Sequence, residues 1–252
     1  MKLQKITLLG TGTCQLQKHR MSSSILVNLD DLLFVYDIGR GTTLRLAELD
    51  IKQDDIQHII LSHFHPDHIS DLVPLLHASS WSQIDPRSKD LNIYGPKGLE
   101  VQIMRIMSLF GPDELKRDFF NVHIHEIREN SFTIGKHKFE FINLPPANNR
   151  GLKFTVNGKQ YAFTGDSNFH EEEIAFLTGV DFAVIDAGHP TDEEIIKLAV
   201  ETQVPKIILS HLYRETDENE IRQKANQAGY KGDLIVGKDL MSFDISDGRK
   251  SV

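Results

Sequence analysis

The stretch Ile56-Gln57-His58-Ile59-Ile60-Leu61-Ser62-His63-Phe64-His65-Pro66-Asp67-His68 decides how this chain is read. Ile56 to Leu61 is a short apolar run of the buried-strand type that stops at Ser62. The cluster behind it therefore lies on the loop leaving a strand's C-terminal end, where open α/β folds place their sites. His63, His65, Asp67 and His68 put three imidazoles and a carboxylate within six positions. On an extended loop alternate side chains point the same way, so His63 and His65 aim at one point while Asp67 and His68 reach a neighbouring one. Imidazole and carboxylate are ligands that zinc, iron and manganese accept, and two adjacent metal positions follow. The competing interpretation, an adventitious surface histidine run, does not account for the strand that precedes it.

Two distant residues repeat the strand-end arrangement. Asp166 follows the β-rich run Tyr161 to Thr164, and His211 follows Lys206 to Leu209. Each alone reads as a turn aspartate or a loop histidine, but three such placements favour one convergent site.

The rest of the chain alternates in blocks. Lys5 to Leu9, Ser24 to Leu29 and Leu32 to Tyr36 read as strands, the last two as a hairpin about Asp30-Asp31; Thr42 to Leu49 reads as a helix. Ile69 to Ala78 and Lys97 to Phe110 are helical, with Leu91 to Tyr94 a strand between them. From Val122 the pattern turns β again: 122–127, 131–134, 138–142, 153–156 and 161–164, with Asn157-Gly158 a hairpin signal. The final third alternates helix and strand from Glu171 to Val236. Two β-rich halves, each followed by helices, predict an α+β, four-layer αββα arrangement of two mixed sheets covered by helices. No linker or repeat interrupts it, so residues 1–252 read as a single domain.

Composition narrows the function. The 252 residues are 40% hydrophobic and 25% charged, the balance of an ordinary globular protein. A net charge of -8 makes nucleic acid the lesser candidate partner, since phosphate neutralisation favours a basic surface. Cys14 is the one cysteine, which excludes an intrachain disulfide and a Cys-rich zinc knuckle. No run reaches the roughly 18 to 20 apolar residues of a membrane span, and the expectation is a soluble, cytoplasmic protein.

These motifs together resemble the ribonuclease Z-like branch of the metallo-β-lactamase fold. The likeness runs through Gly10-Thr11-Gly12, Ser22-Ser23-Ser24, Asp37-Ile38-Gly39-Arg40-Gly41-Thr42, the histidine cluster, Tyr94-Gly95-Pro96, Gly165-Asp166-Ser167, Gly188-His189 and Ser210-His211. The resemblance implies that His63 and His65 serve a first metal, that Asp67, His68 and His211 serve a second, and that Asp166 bridges them. It implies one or two Zn2+ ions, with Mn2+ or iron as alternatives. Asp67 would also orient the attacking water, and Asp37 would hydrogen-bond the histidine loop rather than bind metal. His189 resembles the histidine that contacts the substrate phosphate or donates a proton to the leaving group; it also reads as a turn histidine before a Thr191 helix cap with Glu194. Homodimers are common in the resembled branch.

The chain departs from that pattern at one place. The branch carries a third first-site histidine before a Gly-Tyr-Arg-like strand start, and here the segment reads Asn143-Leu144-Pro145-Pro146-Ala147-Asn148-Asn149-Arg150-Gly151. Pro145 takes the place, and only Asn148 or Asn149 offers an amide oxygen. Three readings follow: a lone second-site metal, a first site completed by another group, or a scaffold or binding protein that keeps the fold without turnover. With metal, the expected reaction is hydrolysis by an activated water. Arg150 and Lys153 are candidates to face a phosphodiester. The long basic arm with which transfer-RNA-processing members grip their substrate is not read between Leu76 and Phe139. That points to a small phosphodiester, sulfate ester or lactone. Cys14, Trp81, His77, His123, His125 and His137 carry no motif and read as structural or exposed.

Overall fold

The structure, a computed structural model, describes residues 4–116, 118–146 and 148–246. The ends of the single-domain reading and Ala147 in the departing segment lie outside the described residues. The first half runs β1 (Lys5–Gly10), β2 (Ser24–Leu29), β3 (Leu32–Tyr36), α1 (Thr42–Glu48), β4 (His58–Ile60), α2 (Pro66–Ile69), α3 (Leu72–Trp81), β5 (Leu91–Gly95), α4 (Leu99–Phe110), α5 (Pro112–Leu115) and β6 (Val122–Glu126). The second runs β7 (Ser131–Ile134), β8 (His137–Leu144), β9 (Asn149–Val156), β10 (Lys159–Phe163), α6 (Glu171–Leu177), β11 (Phe182–Asp186), α7 (Asp192–Thr202), β12 (Lys206–Ser210), α8 (Glu218–Gln227), β13 (Asp233–Val236) and β14 (Ser242–Asp244).

Two seven-stranded sheets result, ordered β14-β1-β2-β3-β4-β5-β6 and β13-β12-β11-β10-β9-β8-β7. Each mixes an antiparallel block with a parallel one: β3 to β6 are parallel in the first, β10 to β13 in the second. Strands buried on both faces carry unbroken apolar runs, which is why their sequences do not alternate. In β11, Phe182 and Val184 join the core between the sheets, while Ala183 and Ile185 join the core under the helices. Phe34 and Tyr36 of β3 likewise face the other sheet while Val35 faces outward.

Three cores separate four layers, as the block pattern predicts. Between the sheets, Phe34 meets Phe139 and Phe154 edge-on at 5.4 and 6.0 Å. Leu46, Leu72, Leu75, Leu99 and Ile103 seal the first sheet from outside, and Phe176, Leu177, Ile195, Leu198 and Ile221 seal the second. Each such side chain contributes about 1.5 to 3 kcal/mol on burial.

Besides the short α5, which the sequence did not signal, three elements differ from the sequence expectation. β9 begins at Asn149 rather than Lys153, because Asn149 and Arg150 pair with Leu144 and Asn143 although Asn and Gly locally favour turns. The strand β14 pairs with β1 across most of the chain, a contact no local pattern signals. The helix expected from Ile69 is two pieces, α2 and α3, with Asp71 between them capping other backbone: its carboxylate accepts from Gly41 N at 3.1 Å and Thr43 N at 2.8 Å.

Candidate metal centre

The ends of β4, β10, β11 and β12 converge where the parallel blocks of the two sheets face one another. On the first sheet, the histidine loop is fixed by Asp37, fully buried after β3 with φ 58°, a left-handed conformation that aspartate tolerates better than most residues. Its Oδ1 accepts from Ser62 N at 2.7 Å, and its Oδ2 accepts from Ser62 Oγ at 2.8 Å and lies 2.7 Å from His68 Nδ1. Ile38 N also donates to the His68 carbonyl at 2.8 Å. A Cβ at Gly39 would run into the Asp67 carbonyl oxygen, so the Asp37-Ile38-Gly39 turn and the histidine loop fit only with glycine between them.

Asp166, at the end of β10, sits at the middle. Its Oδ1 lies 2.9 Å from His68 Nε2 and 3.3 Å from His211 Nε2; its Oδ2 lies 3.6 Å from His63 Nε2 and 4.0 Å from His65 Nδ1. His211, held at φ 56° after β12, brings Nε2 within 3.3 Å of Asp67 Oδ2. The residues singled out in the sequence are thus brought together in two triplets, His63, His65 and Asp166, and Asp67, His68 and His211, each with its ligand atoms within 4.8 Å of one another. His65 is exposed at the mouth, and the other five are buried.

The donor set fits a divalent cation. His63 Nε2, His68 Nε2 and Asp166 Oδ1 are buried with no hydrogen-bond partner, and the 2.9 Å approach of the last two lacks hydrogen-bond alignment. Ligands around a tetrahedral zinc lie roughly 3.3 Å apart, close to several of these separations. The charges agree. Burial opposes a proton on His68, yet Asp166 and Asp37 outweigh it and lift the imidazole well above its ordinary value. His211, equally buried, is lifted to about 9 by Asp186, Asp67 and Asp166. Burial and neighbouring His68 push His63 down to about 4. Asp166 is held far below the carboxylate range, burial being outweighed by the surrounding imidazoles. A pocket that draws protons onto its histidines offers the same negative field to a metal ion, which displaces those protons on binding.

Asp186, at the end of β11, is the residue sequence reading passed over. It is buried, lies 3.4 Å from His211 Nδ1 and 2.6 Å from His189 Nδ1, and accepts from the backbone of Ser167, Gly188 and His189. The signal was available: Asp186 ends a strand, as the residues before Asp166 and His211 do. His189 stacks on His211 with ring centroids 5.2 Å apart, and Thr191 forms the expected capping box with Glu194. The turn reading of His189 is thus met, and its ring also lies against the cluster.

The departing segment supplies no ligand through Asn149. That side chain is buried, donates to the Thr164 carbonyl at 2.9 Å and accepts from Asp166 N at 3.2 Å, which fixes the backbone under Asp166. Asn148 is exposed, at φ 73°. The basic candidates are engaged elsewhere: Arg150 donates to the Phe141 carbonyl at 3.0 Å, and the Lys153 ammonium lies over the Phe176 ring. His123 pairs with Asp90, His125 with Asn92 and His137 with Asp31.

A four-layer αββα fold with histidines and aspartates gathered at one edge of the paired sheets defines a metal-dependent hydrolase. A family model described as the β-lactamase superfamily domain matches residues 38–214. A ribonuclease Z of Methanococcus aeolicus is 35% identical over 96% of this chain and 98% of its own length. A ribonuclease Z of Picrophilus torridus is 23% identical with 96% of each chain covered. Among solved structures, the metallo-β-lactamase fold protein YhfI of Bacillus subtilis superposes with TM-score 0.80 at 20% identity, covering 96% of this chain and all of that one. The short form of human tRNase Z does so with TM-score 0.73 at 21% identity, covering 96% and 99%. The chain belongs to the metallo-β-lactamase superfamily, in its ribonuclease Z-like branch. The names of these relatives speak of RNA, which runs against the small-ester substrate expected from the absent basic arm. Among the described residues, no helix is long and apolar enough to cross a membrane.

Proposed function

We propose that this chain is a single catalytic domain that hydrolyses phosphodiesters with the help of one or two divalent ions, zinc by preference. The observation that carries the reading is Asp166, whose two oxygens reach four imidazoles drawn from both sheets. His63, His65 and Asp166 would hold one ion; Asp67, His68 and His211, with Asp166 shared, would hold the other. When bound, such an ion lowers the pKa of water to near ~7 and draws charge from the phosphoryl oxygens.

The chain's own groups supply the remainder. Asp67, one wall of the second triplet, orients the attacking water and takes up its proton. His189 keeps Nδ1 on Asp186, which raises its proton affinity and leaves Nε2 to protonate the departing alkoxide. Asp37 holds His68 by the nitrogen opposite the centre, and the Asp186 carboxylate lies 3.4 Å from the corresponding nitrogen of His211.

The substrate side has two versions. A small phosphodiester asks a chain of net charge -8 to neutralise fewer phosphates than RNA does. RNA is favoured by the ribonuclease Z relatives, although the 324-residue alignment with one of them exceeds this chain's 252 residues, so that relative carries segments this chain lacks. The test is turnover of bis(p-nitrophenyl) phosphate, p-nitrophenyl sulfate, a γ-lactone and a short single-stranded RNA, each with wild type and Asp67→Ala. Phosphodiester cleavage lost in the variant, with its fold intact by circular dichroism, is the expected result. Sulfatase or lactonase activity alone would overturn it.

A further inference from the structure

Tyr36 ends β3, and its ring packs against Phe163 of the other sheet with centroids 5.4 Å apart. The side chain is buried in the core between the sheets, where a phenylalanine would fill the same space and the added hydroxyl needs a partner. That hydroxyl donates to the Arg150 carbonyl of β9 at 2.8 Å. The Arg150 N–H donates in turn to the Ser62 carbonyl at 3.0 Å. β10 stays paired with β9 only as far as Phe163 opposite Leu152. Beyond that point the two polar groups of the Arg150 backbone cross to the first sheet, one to the end of β3 and one to the loop leaving β4. Arg150 therefore ties the histidine loop to the sheet whose β10 leads to Asp166.

Ser62 passes this constraint to a ligand. Its hydroxyl has one hydrogen, which goes to Asp37 Oδ2 at 2.8 Å because a carboxylate only accepts. The 2.9 Å contact between Ser62 Oγ and His63 Nδ1 then takes its hydrogen from the ring. His63 is so held with Nδ1 protonated, and its Nε2, 3.6 Å from Asp166 Oδ2, faces the centre as a free lone pair. The supports of the two sides meet at Gly165, where a Cβ would press at once on Asn149 Oδ1, Ser62 Cβ and the Tyr36 hydroxyl. The second triplet has other supports: Asp37 bonds His68 directly, and His211 follows β12.

We propose that Tyr36 is a positioning residue of the first metal site: its hydroxyl, acting through the Arg150 backbone and Ser62, holds His63 Nε2 toward Asp166 in a site that lacks a third imidazole. The proposal rests on the two-ion form of the metal reading and adds a residue to it.

The experiment titrates Zn2+ into the chelator-treated, full-length chain in competition with a chromophoric chelator, for wild type, Tyr36→Phe, Ser62→Ala and Phe139→Leu. His63→Ala and His211→Ala assign the two binding steps. Tyr36→Phe is expected to weaken the His63 step by about 10- to 100-fold, the range for an outer partner of a metal ligand, and the His211 step by less than about 3-fold. Ser62→Ala, at the other end of the chain of bonds, should show the same selective loss. Phe139 belongs to the same core but packs on Phe34 and Phe154, so Phe139→Leu loosens the sheets without touching the hydroxyl and should leave both steps as in wild type. An unchanged His63 step in Tyr36→Phe or in Ser62→Ala overturns the proposal. So does a parallel loss of both steps in Tyr36→Phe, or an equal loss in Phe139→Leu, since Tyr36 would then serve only the packing of the sheets. A wild type that binds one ion, lost only in His211→Ala, removes the first site and the proposal with it while a one-ion hydrolase stands. Selective loss in a chain that cleaves no phosphodiester upholds the role of Tyr36 and rejects the phosphodiesterase reading.

Discussion

Replacing Glu173 by glutamine tests the electrostatics behind the metal centre without touching a ligand. Glu173, on α6, is 2% exposed. Burial, with the charge of Asp186 added and a hydrogen bond from Ser167 only partly offsetting them, pushes its carboxyl from an ordinary 4.5 up to about 8. In the unfolded chain it ionises near the ordinary value. Between these two pH values the native state therefore holds a proton that the unfolded state has lost, and stability falls as pH rises. At about 1.4 kcal/mol per pH unit, the full penalty approaches about 5 kcal/mol above pH 8 and is absent below about pH 4.5. Glutamine keeps the shape and a partner for Ser167 but cannot ionise. The measurement is urea unfolding of chelator-treated wild type and Glu173→Gln at pH 5, 6, 7 and 8. The variant should gain on wild type steadily across that series. A difference in unfolding free energy that stays constant with pH would refute the reasoning, since it would mean that Glu173 ionises as freely in the folded protein as in the unfolded one.

Elemental analysis of protein purified without chelator should give two divalent ions per chain, falling to one in His63→Ala and to one in His211→Ala; a single ion sensitive only to His211→Ala would remove the first site. Asp186→Asn should weaken metal binding or turnover by roughly 10- to 100-fold. Because Asp186 raises the proton affinity of His189, it should also move the alkaline limb of the kcat profile to lower pH, and an unmoved limb would take His189 out of proton transfer. Gly39→Ala forces its Cβ against the Asp67 carbonyl, so calorimetry should show a loss of about 1 to 3 kcal/mol together with lower metal content. Retention of both would show that the histidine loop moves freely relative to the Asp37 turn.

What could be read from the sequence divides by distance along the chain. His63, His65, Asp67 and His68 announce themselves because one extended loop carries all of them, and local pattern suffices. Asp166 and His211 were legible only through the repeated strand-end placement, which parallel strands share because they begin and end at common levels of a sheet. The four layers followed from the order of the blocks, two β-rich halves each followed by helices. Asp186 carried the same strand-end signal but could not be told from a turn aspartate. Its importance comes from His211, brought alongside by the pairing of β11 with β12, and an aspartate at a strand end is otherwise an ordinary turn residue. β14 depends on a partner at the far end of the chain.

The missing histidine takes on a different meaning once β9 is placed. The segment that would supply it joins β8 to β9, with Pro145 at the histidine's place and Asn149 opening the strand, and buried Asn149 spends both ends of its amide on the turn after β10, one on the Thr164 carbonyl and one on the Asp166 N–H. Gly165 lies between them at φ 64°, where a Cβ would strike the same amide. The chain thus uses Asn149, the nearby residue whose amide oxygen was a candidate ligand, to fix Asp166 rather than to bind a metal. Asp166 is the one group that reaches both triplets, so a rigid Asp166 offsets part of what the absent imidazole would have contributed. Asn149→Ala should therefore cost the His63 site and the His211 site together. Asn149→His, which restores the branch's ligand type but removes the bonds to β10, should fail to improve the first site alone. If Asn149→His instead raised metal affinity at that site without disturbing the other, the position would be an unfilled ligand and not a buttress.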